Sequence, residues 1–61
     1  MNNQVYIVIH QFAKNGEIIW MEQVDKVFRQ ESDAKDHVDR MMKKKKKGEK
    51  LDYKIEKFMI L

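Results

Sequence analysis

The side chains able to do acid–base or nucleophilic chemistry are few in this chain of 61 residues: two histidines, His10 and His37, no cysteine, and scattered carboxylates. No pair of carboxylates, Ser/His/Asp order or activated nucleophile emerges from their spacing, and no glycine-rich phosphate loop is present. Without cysteine there is neither a disulfide nor a thiolate metal site, and a zinc held by two histidines would need a carboxylate cluster the sequence does not supply. His10 reads as a strand residue sharing a polar edge with its cross-strand neighbour, and His37 as the polar margin of a helix stripe. A domain this small has little room for a pocket of ligand size. The expectation is a protein that is not an enzyme and carries no cofactor or metal.

What remains as chemistry is charge. Thirteen basic residues stand against ten acidic ones, a net charge of +3, and five of the thirteen are consecutive: Lys43, Lys44, Lys45, Lys46 and Lys47. Without that run the chain is slightly acidic, so it reads as a near-neutral domain with a basic spur. Lysines at a helix C-terminus complement its dipole and need no partner. They also attract phosphates or an acidic protein surface, in a salt-sensitive way that carries no sequence information. The interleaved arginines and aromatics of nucleic-acid sites are missing here.

The elements that position these residues begin with two apolar runs, VYIVIHQF and EIIWMEQV, joined at Asn15-Gly16. Asn-Gly supplies the positive φ angles of a type I′ hairpin turn. A two-residue turn sets Lys14 opposite Glu17, Phe12 opposite Ile19, His10 opposite Met21 and Ile9 opposite Glu22. One face then gathers Tyr6, Val8, Phe12, Ile19 and Met21, the other Val5, Ile7, Ile9, Ile18, Trp20 and Val24. A bulge after Met21 exchanges the faces of every later residue in the strand. Asp25-Lys26-Val27-Phe28 reads either as the bent end of the second strand or as a short connector whose apolar pair closes one end of the core.

A helix enters around 30–32, with Ser32 or a neighbour as cap and Glu31, Asp33 and Asp36 near its positive end. Ala34, His37, Val38, Met41 and Met42 form a modest apolar stripe, and Asp36 and Arg40 form an i, i+4 pair. The lysine run continues the helix, fraying toward a left-handed cap at Gly48. LDYKIEK then alternates as a half-buried strand, with Leu51, Tyr53 and Ile55 on one side. The consecutive apolar residues 58–61 imply a bulge near Lys57 or a strand end buried on both faces. Met41 and Met59 are expected in the core.

The order is β-β-α-β, an α+β single domain spanning 1–61. A right-handed crossover returns the third strand beside the first, for a three-stranded antiparallel sheet of order 2-1-3 with one helix on one face. One short helix cannot cover both faces. Trp20 and Ile18 are then core or interface residues, and the uncovered face calls for association. Self-pairing into a homodimer is the simplest route for so small a chain, with Val5, Ile7, Ile9, Phe58 and Ile60 as its expected contacts. No charged segment followed by an apolar one opens the sequence, and no run is long enough to span a bilayer, so a soluble cytoplasmic protein away from the membrane is expected.

The spacing of VYIVIHQF, EIIWMEQVDKVF, ESDAKDHVDRM and DYKIEKFMIL resembles small β-β-α-β proteins of unknown function from bacteriophages and bacterial mobile elements. Their shared pattern is a hairpin, an apolar pair like Val27-Phe28, a helix with Ala34, Val38 and Met41 buried, and a strand like Tyr53-Lys54-Ile55-Glu56. The resemblance implies a context in which very small proteins act by binding a host protein, including components of bacterial anti-phage defence such as a nuclease, helicase or signalling protein. Many DNA-mimicking inhibitors of that kind are strongly acidic, and the lysine run departs from them. The expected function is inhibition or modulation of a host protein by stoichiometric binding, with Trp20, Ile18 and Lys43 to Lys47 as partner contacts. The alternative is an accessory nucleic-acid-binding or regulatory protein that uses the lysine run directly.

Overall fold

The computed structural model describes residues 3–14 and 16–60. Strand β1 (Gln4–Phe12), strand β2 (Met21–Phe28), helix α1 (Glu31–Lys43) and strand β3 (Leu51–Met59) succeed one another in that order. The three strands form one antiparallel sheet of order β2-β1-β3. The β-β-α-β layout, the α+β class and the 2-1-3 order therefore stand as expected, with the strand richest in β-branched residues at the centre.

The hairpin departs from the expected register. The N–H of Glu17 donates to the carbonyl of Lys14 at 3.0 Å, and Gly16 has φ +83°, so a tight turn forms at the anticipated place. Asn15 itself lies outside the described residues. The ladder does not zip up from that turn. Phe12 pairs with Met21, His10 with Gln23 and Ile9 with Val24, two residues beyond the expected partners. Ala13 on one arm has Ile18, Ile19 and Trp20 as its counterparts on the other, and its N–H, bonded to the carbonyl of Lys50 at 3.1 Å, carries the β1–β3 ladder one step past Phe12 and Leu51. Because the slip is two residues, each side chain keeps its face.

The anticipated bulge lies farther on. Val8 pairs with Lys26 and Ile9 with Val24, leaving Asp25 as the extra residue of β2. Past it the faces exchange, so Phe28 turns toward the helix and Val27, 54% exposed, toward the opposite side. Val27 therefore does not help Phe28 close the core.

Strand β3 pairs with β1 from Leu51 opposite Phe12 to Met59 opposite Gln4 without a break. The expected slip near Lys57 is absent. Its end is buried on neither face: Phe58, Met59 and Ile60 are all half exposed or more, which removes Met59 from the core. Phe58, opposite Val5, lies on the sheet face away from the helix.

Helix α1 starts after Gln30, which occupies the cap position without a side-chain cap bond; Ser32 lies inside the first turn. Ala34 is fully buried against the sheet, with His37, Val38, Met41 and Met42 half-buried beside it. The surface ion pair on the helix joins Glu31 to Lys35 at 3.6 Å, while Arg40 reaches the main-chain carbonyl of Asp36 instead of its carboxylate. The helix ends at Lys43, not at Gly48: Lys44 and Lys45 donate to the carbonyls of Met41 and Met42 in a tightened last turn. Repulsion among adjacent ammonium groups and the draw of Glu49 explain the early stop. Glu49 accepts the N–H of Lys46 at 2.9 Å and donates its own to the carbonyl of Lys46 at 3.1 Å. Gly48, with φ +84°, takes the third position of that turn, as a type II turn demands.

Val8 and Ala34 are the fully buried apolar residues among those described. The radius of gyration is 13.2 Å, against about 10.5 Å for a compact domain of this length. The accessible surface is 5224 Å², roughly 1,000 Å² above the ~4,200 Å² that a compact monomer of this mass exposes. The chain is a thin plate with a helix on one side.

Candidate binding end and open sheet face

Two surfaces carry the residues singled out by sequence. The first is the end of the plate beyond Phe12. The hairpin arm, with 16–20 outside the sheet, projects there, and the loop from α1 to β3 enters the strand at the same level, opposite Phe12. Arm and loop are tied twice: Ala13 N–H to the Lys50 carbonyl at 3.1 Å, and Lys50 Nζ to the Glu17 carbonyl at 3.5 Å. On the arm, Ile18 is 90% exposed and Trp20 48%. Ile18, Ile19 and Trp20 precede the start of β2, outside the sheet, and stand in water. Trp20 is thus not a core residue. Lys43 closes the helix, and Lys44, Lys45, Lys46 and Lys47 come directly after it, all exposed. Residues 18–20 and 43–47, far apart in sequence, thereby share one end of the molecule.

Between arm and loop runs a cleft of about 460 Å³ lined by His10, Phe12, Ala13, Lys14, Glu49, Lys50 and Leu51. On the helix side of the sheet, the His10 ring stacks on Phe12 at 4.8 Å and on Tyr53 at 4.9 Å, the latter within 15° of parallel. His10 is therefore not a polar edge residue; it is the middle of an aromatic stack, and its buried Nε2 has no hydrogen-bond partner among the described residues. Burial pushes the Tyr53 phenol above its ordinary range, with Asp25 and Glu49 adding to the effect. Sequence reasoning missed this cleft. Lys14 and Lys50 bracketing the strand ends were the available signal, but only the register brings them together.

The second surface is the sheet face away from the helix. Val5, Ile7 and Ile9 of β1, Val24 and Val27 of β2 and Phe58 of β3 lie on it, with Val24 60% and Phe58 50% exposed. Ile60 continues the side of Phe58 just past the strand, its N–H bonded to the Asn3 carbonyl. At the arm end the same face turns polar. Lys54 Nζ meets Glu22 at 2.9 Å and Glu56 at 3.3 Å, and Gln11 donates to Glu22 at 2.8 Å. The Lys54 ammonium, then the Gln11 amide, hold the Glu22 carboxyl below its usual range; Glu22 and then Glu56 raise Lys54 in turn. The predicted dimer contacts thus lie on one face, and Val24 and Val27 complete the patch.

His37 and Asp25, both near the helix side, are bonded to each other, which leaves His37 a structural residue. No group of three or more His, Cys, Asp or Glu side chains among the described residues is placed to hold a metal, and no helix among them is long and apolar enough to cross a membrane. Comparison with protein-family models, with curated proteins and with solved structures gives no match.

Proposed function

We propose that this chain is a small, non-enzymatic, cytoplasmic protein-binding module that inhibits or modulates a host protein by stoichiometric association, with a component of bacterial anti-phage defence as the target class. The observation that carries the binding reading is the convergence at one end of an exposed apolar arm, Ile18 to Trp20, and the lysine loop that succeeds α1. A half-exposed Trp flanked by Ile is the composition of an interface anchor. Lysines around it raise the encounter rate with an acidic surface without fixing the docked pose. The phage context comes from the resemblance of the core pattern to small β-β-α-β proteins of bacteriophages and mobile elements. The experiment is a tagged pull-down from bacterial lysate, with and without nuclease, followed by mass spectrometry and by a direct titration with the purified target. A single host protein that binds one to one, survives nuclease and is lost with Trp20→Ser supports the reading. Failure to retain any stoichiometric protein refutes it.

A second reading has one observation in its favour: the cleft at this end combines stacked rings with Lys14 and Lys50, and the lysine loop adjoins it. Rings and ammonium groups together are what single-stranded nucleic acids bind. Replacing Lys43 to Lys47 with Ser abolishes nucleic-acid binding on this reading. A chain that binds neither DNA nor RNA at low salt rules it out.

A further inference from the structure

We infer that the open face of the sheet is covered by a second copy of this chain, packed face to face about a two-fold axis that runs across the strands near Ile7, so that the two binding ends point in opposite directions. Three observations lead there. Only Val8 and Ala34 are fully buried among the described residues, and a chain of this length with no disulfide is marginal on such a core. Its cover must be present whenever the chain folds, and the one partner whose supply matches its own is another copy. The accessible surface of the chain, 5224 Å², exceeds that of a compact monomer by roughly 1,000 Å², of the order of the ~800 Å² that each partner contributes to a standard interface. Finally, the one cation of this face, Lys54, is already held by Glu22 and Glu56 of its own chain, so it asks for no counter-charge from a foreign surface.

The pattern of the face selects the axis. Ile7 lies at the centre of the apolar patch, with Val5 and Ile9 along its strand and Val27 beside it. An axis across the strands places β2 over β2 and β3 over β3, in reversed direction. Val27 then meets its own copy, and Lys54 comes over Phe58 of the other chain, one residue pair to either side of the Ile7 level. Glu56 meets its own copy at the outer edge, where water reaches it and Lys54 of its own chain holds it. An axis along the strands would set Val27 against Glu56, Val24 against Lys54 and Glu22 against Asp52, each twice, so two apolar residues of every chain would meet charge and two acid pairs would face each other, against one such apolar residue per chain and a single acid pair for the axis across the strands.

The test uses the absence of cysteine, since any single Cys introduced is the only thiol. Faces of packed sheets lie about 10 Å apart, beyond disulfide reach, so a short bismaleimide is the probe. Expected are a dimer mass by sedimentation equilibrium at micromolar concentration, efficient cross-linking of Val27→Cys to itself, and no cross-linking of Glu22→Cys. Val27→Lys should lower the dimer population at least tenfold, read by mass where it stays folded; in the unaltered chain the melting temperature should rise with concentration. A wild-type chain that remains a monomer at these concentrations overturns the proposal. Cross-linking of Glu22→Cys as efficient as that of Val27→Cys overturns the axis. Neither result touches the host-binding reading, which is tested at the opposite end with a separate partner.

Discussion

Nε2 of His37 and Oδ2 of Asp25 lie 2.6 Å apart, which fastens the bulge of β2 to the middle of α1. Asp25 is the one residue of β2 without a partner on β1, and its side chain spends that freedom on the helix. The ring N–H donates to the carboxylate, and both side chains are largely shielded, 14% and 30% exposed. A double-mutant cycle with His37→Ala and Asp25→Ala should give a coupling of about 1 kcal/mol in urea denaturation. Additive losses would show that the contact does not hold the helix.

Val8 on the helix side of the sheet and Ala34 on the helix are both without exposure. Val8→Ala should cost about 2 kcal/mol through lost burial and an unfilled gap. Ala34→Leu should cost about as much by lifting the helix from the sheet. Both are read from denaturation midpoints. Ile18→Ser, at the exposed arm, should stay within about 0.5 kcal/mol of wild type and lose partner binding.

The two glycines serve separate turns with nearly identical φ, +83° and +84°, and a Cβ at either would meet nothing within 4 Å. Any cost of Gly16→Ala or Gly48→Ala is then backbone strain alone, about 1 kcal/mol each. A loss several times larger at Gly16 would mean that the turn governs the register of the whole hairpin.

Stability should fall away at both ends of the pH scale for different reasons. Glu22 titrates below its ordinary value, so its contribution is complete above the unfolded-state value and disappears as pH falls through the lower folded one. Tyr53 is raised, so the neutral phenol favours the fold; that contribution is complete below the value of free tyrosine and disappears as pH rises through the elevated one. Glu22→Gln should flatten the acid limb and Tyr53→Phe the alkaline limb of denaturation midpoint against pH. An unchanged alkaline limb in Tyr53→Phe would show that burial at Tyr53 is not coupled to folding.

Alternation in β1, the helix stripe and the LDYKIEK pattern are enough to read element order, sheet order and the two faces, because period and turn chemistry act locally. Register is not legible in the same way. Asn15-Gly16 favours a turn but cannot dictate the pairing beyond it, and the two-residue displacement belongs to the assembled sheet, whose β1–β3 ladder runs on to a bond between Ala13 and Lys50, 37 positions away. The early end of α1 has a similar cause: Glu49 draws the Lys46 backbone into its own turn, a competition that helix propensity alone does not register. The setting of His10 is hidden in the sequence because its neighbours, Phe12 and Tyr53, become a stack only once β3 is in place.

Because β1 is central, the β1–β3 half of the ladder joins residues 39 positions apart at Phe12 and Leu51 and 55 apart at Gln4 and Met59. The loop-closure entropy of such distant pairs must be met before their contacts return anything, which slows the search for the native arrangement. Until β3 arrives, the chain has a two-stranded hairpin that water can dissolve and an unpaired edge along its most apolar strand. The time spent in that state, more than the final stability, sets how readily this protein aggregates when made in quantity.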